Sequence, residues 1–106
     1  MTSYRVFRTA QFNERFSRLT DFEKGRIEHF LDQLIYGQGM VGKPLGTPFL
    51  REKKFNGNRL YFLVYDEWNV ILAVEMSTKK AQAVTIAKIR LNLNQYKSFV
   101  RNLLFR

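Results

Sequence analysis

The sequence contains no cysteine, a single histidine, two prolines and, beyond Glu75, no acidic residue at all. Without cysteine there are no disulfides, thiolate metal sites or cysteine nucleophiles, so a hydrophobic core has to supply the stability. The lone histidine, His29, lies beside the apolar stripe of a predicted helix, where a structural or solvent-facing role is expected;. No cluster of Cys, His or paired carboxylates has metal-ligand spacing, so neither a metal nor another cofactor is expected. No apolar run approaches the ~20 residues that span a bilayer. Residues 1–8 also lack the apolar segment of a secretory signal;. A cytoplasmic chain with no membrane contact is the expectation. There is no internal repeat, low-complexity stretch or linker, and 106 residues suit one domain covering 1–106;.

What is present is apolar surface and positive charge. Hydrophobic residues make up 45%, with ten Phe and five Tyr, enough for one core. The net charge of +9 is unevenly placed. Residues 1–36 hold six cations (Arg5, Arg8, Arg15, Arg18, Lys24, Arg26) against five acids (Glu14, Asp21, Glu23, Glu28, Asp32). From residue 43 onward twelve cations face four acids, Glu52, Asp66, Glu67 and Glu75. A field of that sign attracts polyanions and accelerates their encounter. RNA, DNA, a membrane surface or an acidic protein would each satisfy it.

Residues 4–8 alternate in character and predict a short strand;. Phe12, Phe16 and Leu19 then recur at helical spacing, and Thr20-Asp21-Phe22-Glu23 is a capping box opening a second helix that carries Phe22, Ile27, Phe30, Leu31, Leu34 and Ile35;. Residues 37–48 concentrate four of the six glycines and both prolines, and predict a loop;. Three strands follow, at residues 49–55, 59–65 and 70–76, the first two joined by the tight turn Asn56-Gly57-Asn58;. From about Lys79 a helical period returns, with a seam of Ile86, Ile89, Leu93, Tyr96, Val100 and Leu103, while Phe99, Leu104 and Phe105 widen its apolar face;. The predicted fold is α+β in the order β-α-α-β-β-β-α. It is a curved, mostly antiparallel four-stranded sheet with an N-terminal helical hairpin on one face and a C-terminal helix.

Alternation along a strand places Leu60, Phe62 and Val64 on the core face, and Arg59, Tyr61 and Tyr65 on the other;. On the last strand Val70, Leu72, Val74 and Met76 form the more apolar register, opposite Ile71, Ala73 and Glu75. Arg51 and Lys53 project together, whereas Lys54 points the other way unless a bulge intervenes. The open face is therefore expected to gather Arg51, Lys53, Arg59, Tyr61 and Tyr65, with Lys79 and Lys80 at its rim. Cations interleaved with phenols suit RNA, since guanidinium and ammonium groups neutralise phosphate and rings stack on unpaired bases. The alternative is that Tyr61 and Tyr65 plug the rim of a core and Arg59 pairs with Glu75 or Glu52.

The element order, together with the stretch Arg51-Glu52-Lys53-Lys54-Phe55-Asn56-Gly57-Asn58-Arg59-Leu60-Tyr61-Phe62-Leu63-Val64-Tyr65 and the segment Ser77-Thr78-Lys79-Lys80-Ala81-Gln82, resembles the RelE/ParE superfamily of toxins from type II toxin-antitoxin systems. The resemblance runs from about Tyr4 to Ile89. It implies a metal-independent, ribosome-dependent endoribonuclease that cuts messenger RNA by attack of the 2′-hydroxyl on the adjacent phosphate. By it, Arg59 holds the scissile phosphate, Arg51 and Lys53 form the basic pair of the preceding strand with Lys53 as base, and Lys80 or Lys79 supplies the cation after the last strand. Lys54, Tyr61, Tyr65 and Lys79 are the implied RNA contacts. The implied partners are a cognate acidic antitoxin, the ribosome and messenger RNA. Ribonuclease members place a Tyr or His near the start of the C-terminal segment, and residues 80–86 contain neither. Two other activities therefore stay open: a ParE-like non-nuclease toxin that binds DNA gyrase, and a degenerate member that only binds RNA or antitoxin.

Overall fold

The computed structural model describes residues 3–37 and 41–106; Gln38, Gly39 and Met40 of the expected loop lie outside the described residues. Strand β1 (Arg5–Arg8) leads into the hairpin of α1 (Ala10–Ser17) and α2 (Asp21–Gly37). Both helix starts follow from local chemistry. The Thr9 hydroxyl accepts the Phe12 amide at 3.0 Å. Thr20 and Glu23 form the expected reciprocal box, with the Thr20 amide 3.0 Å from Glu23 Oε1 and the Glu23 amide 3.2 Å from the Thr20 hydroxyl;.

The remaining strands are β2 (Lys43–Pro44), β3 (Leu50–Phe55), β4 (Asn58–Tyr65) and β5 (Val70–Thr78), in the spatial order β1-β5-β4-β3-β2. All neighbours are antiparallel except β1 beside β5. The α+β class and the element order are those expected, with five strands instead of four. The addition is β2, whose Lys43 and Pro44 lie against Glu52 and Arg51 at the edge, where a proline is tolerated;. Its approach requires Gly42: φ is +87° there, and a Cβ would stand 2.6 Å from the Glu52 carbonyl oxygen;.

Each face of the sheet carries its own core. The helical hairpin packs Phe12, Ile27, Phe30, Leu31 and Leu34 onto Leu60, Phe62 and Ile71, with the Phe30 ring edge-on to Phe55 and Phe62. The second face, expected to be open, is covered. Helices α3 (Gln82–Leu91) and α4 (Leu93–Leu104) bring Ile89 and Val100 down onto Leu50, Tyr61, Leu63, Tyr65, Leu72 and Val74. Leu63 lies between Tyr61 and Tyr65 on that face, and residues 70–77 of β5 are buried throughout. So much apolar surface, at roughly 25 cal/mol per Å², cannot stand in water.

Two irregularities separate the observed fold from the one read by period alone. The C-terminal helix breaks at Asn92, whose side-chain amide donates to the Lys88 carbonyl at 2.8 Å. The apolar row then restarts as Leu93, Tyr96, Val100 and Leu104, so that Leu104 takes the core place expected of Leu103. In β5 a bulge falls at Val74, because Tyr61 opposes Glu75 while Phe62 opposes Ala73;. Beyond it the strand changes faces. Met76 joins the hairpin core opposite Leu60, and Glu75 and Ser77 stand beside Tyr61 and Arg59.

Candidate nucleic-acid interface

The hairpin turn decides which cations can meet. Asn56 takes the left-handed φ of 56°, and the two-residue loop opposes Phe55 to Asn58. Counting outward, Lys54 faces Arg59, Lys53 faces Leu60, Glu52 faces Tyr61 and Arg51 faces Phe62. Directly opposed residues share a face. Lys54, Arg59, Glu52 and Tyr61 therefore stand on the side of α3, and Arg51 and Lys53 stand on the side of the helical hairpin. Arg51 is buried, with its guanidinium donating to the carbonyls of Val41, Gly42 and Pro48. Lys53 lies with its ammonium 5.6 Å from the centre of the Phe30 ring. The expected common surface of Arg51, Lys53 and Arg59 does not form, and Lys54 takes the place beside Arg59.

Arg59 is itself only 6% exposed. Its Nε is 3.8 Å from Glu52 Oε1, too far for a hydrogen bond, and Nη1 reaches the Asn58 carbonyl at 3.5 Å. Glu52, equally buried, accepts from Gln82 Nε2 at 2.7 Å, so the first turn of α3 closes over the pair. The Tyr61 hydroxyl shares a 2.8 Å hydrogen bond with Ser77. Burial pushes its phenol above the usual tyrosine value of 10.0, against the pull of the Ser77 bond;. Glu75, also buried, lies 3.5 Å from Arg15 Nε of α1 and 3.4 Å from Lys88 Nζ of α3.

Around this buried cluster Lys54, Lys79 and Lys80 are exposed. The Lys79 amide donates to the Gly57 carbonyl at 3.0 Å, which holds the turn after β5 against the hairpin turn. Four of the candidate residues, Lys54, Arg59, Lys79 and Lys80, thus collect at one end of the sheet with Tyr61 behind them. Tyr65 belongs to the other end, tilted against Trp68 at 5.7 Å between ring centres. There burial raises its phenol, with Glu67 and Tyr96 adding to the effect. A cavity of about 550 Å³ opens at that far end between Phe49, Leu63, Tyr65 and Leu93.

Sequence reasoning offered Glu52 and Glu75 only as possible ion-pair partners of Arg59, and gave no functional role to them or to Gln82 and Arg15. Glu52 was within reach, because a two-residue turn fixes it opposite Tyr61. Glu75 depends on the bulge, and Gln82 and Arg15 on how helices dock, none of which has a local marker. Among the described residues there is no group of three or more side chains suited to a metal ion, and no helix is long and apolar enough to cross a membrane.

No family model matches the sequence, and no curated protein matches it. Solved structures do match. The isolated E. coli RelE toxin superposes with a TM-score of 0.64 at 17% identity, over 80% of this chain and 99% of that one. RelE-RelB of the archaeon Pyrococcus horikoshii gives 0.60 at 25% identity, over 74% and 96%. The RelBE2 toxin-antitoxin complex of Mycobacterium tuberculosis gives 0.62 at 19% identity, over 72% and 98%. Nearly the whole of each relative is matched, with a fifth or more of this chain left over. The chain therefore carries the fold of the RelE toxins, as the resemblance of its hairpin and element order implies.

Proposed function

We propose that this chain is the toxin of a type II toxin-antitoxin pair, acting in the cytoplasm, and that it cuts messenger RNA on the ribosome without a metal. The observation that carries the reading is the placement, within a RelE fold, of Arg59 directly opposite Lys54 and beside the Lys79-Lys80 turn. The RNA 2′-oxygen bonds to the adjacent phosphorus, and the bond from phosphorus to the 5′-oxygen breaks. The products are a cyclic phosphate and a free 5′-hydroxyl. Arg59 offsets the charge that builds on the phosphorane. Glu52, the carboxylate nearest to Arg59, takes the 2′-hydroxyl proton in place of Lys53, which faces the other core;. The 5′-oxygen receives its proton from Lys80 or Lys79. Lys54 holds a flanking phosphate. Since Gln82 covers Glu52, substrate reaches Arg59 only when the first turn of α3 gives way. Relatives of this fold are found with an antitoxin, and a cognate acidic antitoxin is the partner proposed here.

Expression of Arg59→Ala beside the unaltered chain tests the reading. Growth arrest and messenger cleavage are expected to fall by at least about a hundredfold, the usual loss on removing one transition-state donor. Cleavage that persists in the folded variant sinks the assignment. The burial of Arg59 against Glu52 favours a second reading, a toxin that is no nuclease and binds a protein such as DNA gyrase. Growth arrest with messenger intact and supercoiling inhibited would select it.

A further inference from the structure

We infer that the RNA track continues past Arg59 onto α1, where Arg15 and Arg18 each hold one of the two phosphates that flank a neighbouring nucleotide; this rests on the RNA-directed reading above. A hollow of about 170 Å³ lies between Arg15, Arg18 and Leu19 on one wall and Asn58, Ser77 and Thr78 on the other, with Met76 at its base. It adjoins the proposed cleavage site, for Asn58 precedes Arg59 and Ser77 is the β5 residue directly opposite Arg59. The hollow exists because β1 stops pairing with β5 at Ala73, leaving the last turns of β5 to be flanked by α1.

Arg15 is set for an anion. Its Nε faces the buried carboxylate of Glu75, while the remaining guanidinium nitrogens have no partner among the described residues and the side chain is 57% exposed. Glu75 is itself held, by the Met76 amide at 3.2 Å and by Lys88, so it orients Arg15 as a fixed anchor. A guanidinium steadied at one nitrogen presents the others as a fork for phosphate oxygens. Arg18 is paired only with Glu14 one helical turn away, at 2.8 Å on the open surface. Such an exposed pair is weak and is readily exchanged for a phosphate. Leu19 and Met76 offer an apolar floor to a ribose or base. The exposed Lys79 and Lys80 follow Thr78 directly, so the hollow is continuous with the basic end of the sheet.

Anisotropy of a labelled single-stranded RNA oligomer, measured across a salt series, tests the subsite on the purified chain. The double variant Arg15→Ala, Arg18→Ala is expected to bind about tenfold more weakly. Its plot of log affinity against log salt should be shallower by about 1.4, the release of two single-strand phosphate contacts. Arg15→Lys with Arg18→Lys should restore the slope, which separates lost charge from lost fold. Lys97→Ala with Arg101→Ala removes the same charge at the opposite end, beside Trp68, and should leave the slope unchanged. An unchanged slope in the α1 variant, or an equal change in the control at the far end, overturns the subsite. The toxin reading survives that result, because it depends on Arg59. If the unaltered chain binds no RNA, the RNA-directed reading and the subsite fall together.

Discussion

Along the face of β4 that meets the C-terminal helices, one half is apolar core and the other half is polar. Leu63 and Tyr65 pack against Leu93, Tyr96, Val100 and Leu104 of α4, with Trp68 and Phe105 at the margin ring against ring at 5.9 Å. Arg59 and Tyr61 are instead lined by polar groups, the Glu52 carboxylate of β3, which the Gln82 amide of α3 holds, and the Ser77 hydroxyl of β5. The bulge at Val74 marks the change, since beyond it Glu75 and Ser77 turn inward. One helical cover thus uses two kinds of adhesion. Lifting α4 exposes several large apolar side chains, each worth roughly 1.5–3 kcal/mol. Lifting the start of α3 breaks one amide-to-carboxylate bond, from Gln82 to Glu52. Local opening therefore concentrates at the α3 end, which is also the end where the proposed RNA substrate would enter.

The contrast is sharpest if one residue is removed from each half. Leu63 is 1% exposed, and Leu63→Ala is expected to cost about 3 kcal/mol in urea unfolding with the slope unchanged;. A cost below about 1 kcal/mol would mean that α4 does not close that end. Glu52→Leu is the counterpart, expected at about 2 kcal/mol because it leaves the Arg59 charge buried without its carboxylate. The value falls below the usual cost of orphaning a buried ion, since Arg59 engages Glu52 only at 3.8 Å. Adding Arg59→Met should recover most of the loss, as apolar replacement of a buried pair commonly does. If the double variant is no more stable than Glu52→Leu alone, electrostatics does not govern the α3 end.

How much of this could be read from the chain depends on which residues carry it. The helical hairpin was legible because Thr20 and Glu23 mark its second start and Phe12, Phe16 and Leu19 its stripe. Strands β3, β4 and β5 were legible from Asn56-Gly57 and the apolar run of β5, whereas β2 falls in the stretch expected to be a loop. The covered second face was also within reach, because Leu63 sits between Tyr61 and Tyr65 in the same register and a leucine there needs a lid. The pairing of Lys54 with Arg59 follows from a two-residue turn by counting alone. The fate of Arg51 does not. A guanidinium beside a glycine- and proline-rich loop reads as free charge in sequence, whereas here it gathers the carbonyls of Val41, Gly42 and Pro48. The bulge at Val74 is equally silent, since Val, Glu and Met alternate there as well in one register as in the other.

The two tyrosines that share this face of β4 give the smallest and most discriminating comparison. Tyr61 is fully buried with its hydroxyl bonded to Ser77, whereas the Tyr65 hydroxyl makes no hydrogen bond among the described residues. Tyr61→Phe should therefore cost about 1 kcal/mol at neutral pH and Tyr65→Phe close to nothing. Alkaline pH separates them further. Both phenols are raised above 10.0 in the folded chain, mainly by burial, and Tyr65 by far the more. A group that holds its proton more tightly when folded contributes stability that is complete below the unfolded value and is lost as pH climbs through the folded one. Stability should accordingly decline above pH ~10, where an unfolded tyrosine ionises freely. Tyr65→Phe should blunt that decline and become more stable than the unaltered chain at high pH, while Tyr61→Phe should blunt it less. Denaturant midpoints for the three proteins on either side of pH ~10 read this directly. A Tyr61→Phe chain as stable at neutral pH as the original would show that the polar end is not held by its hydroxyl pair.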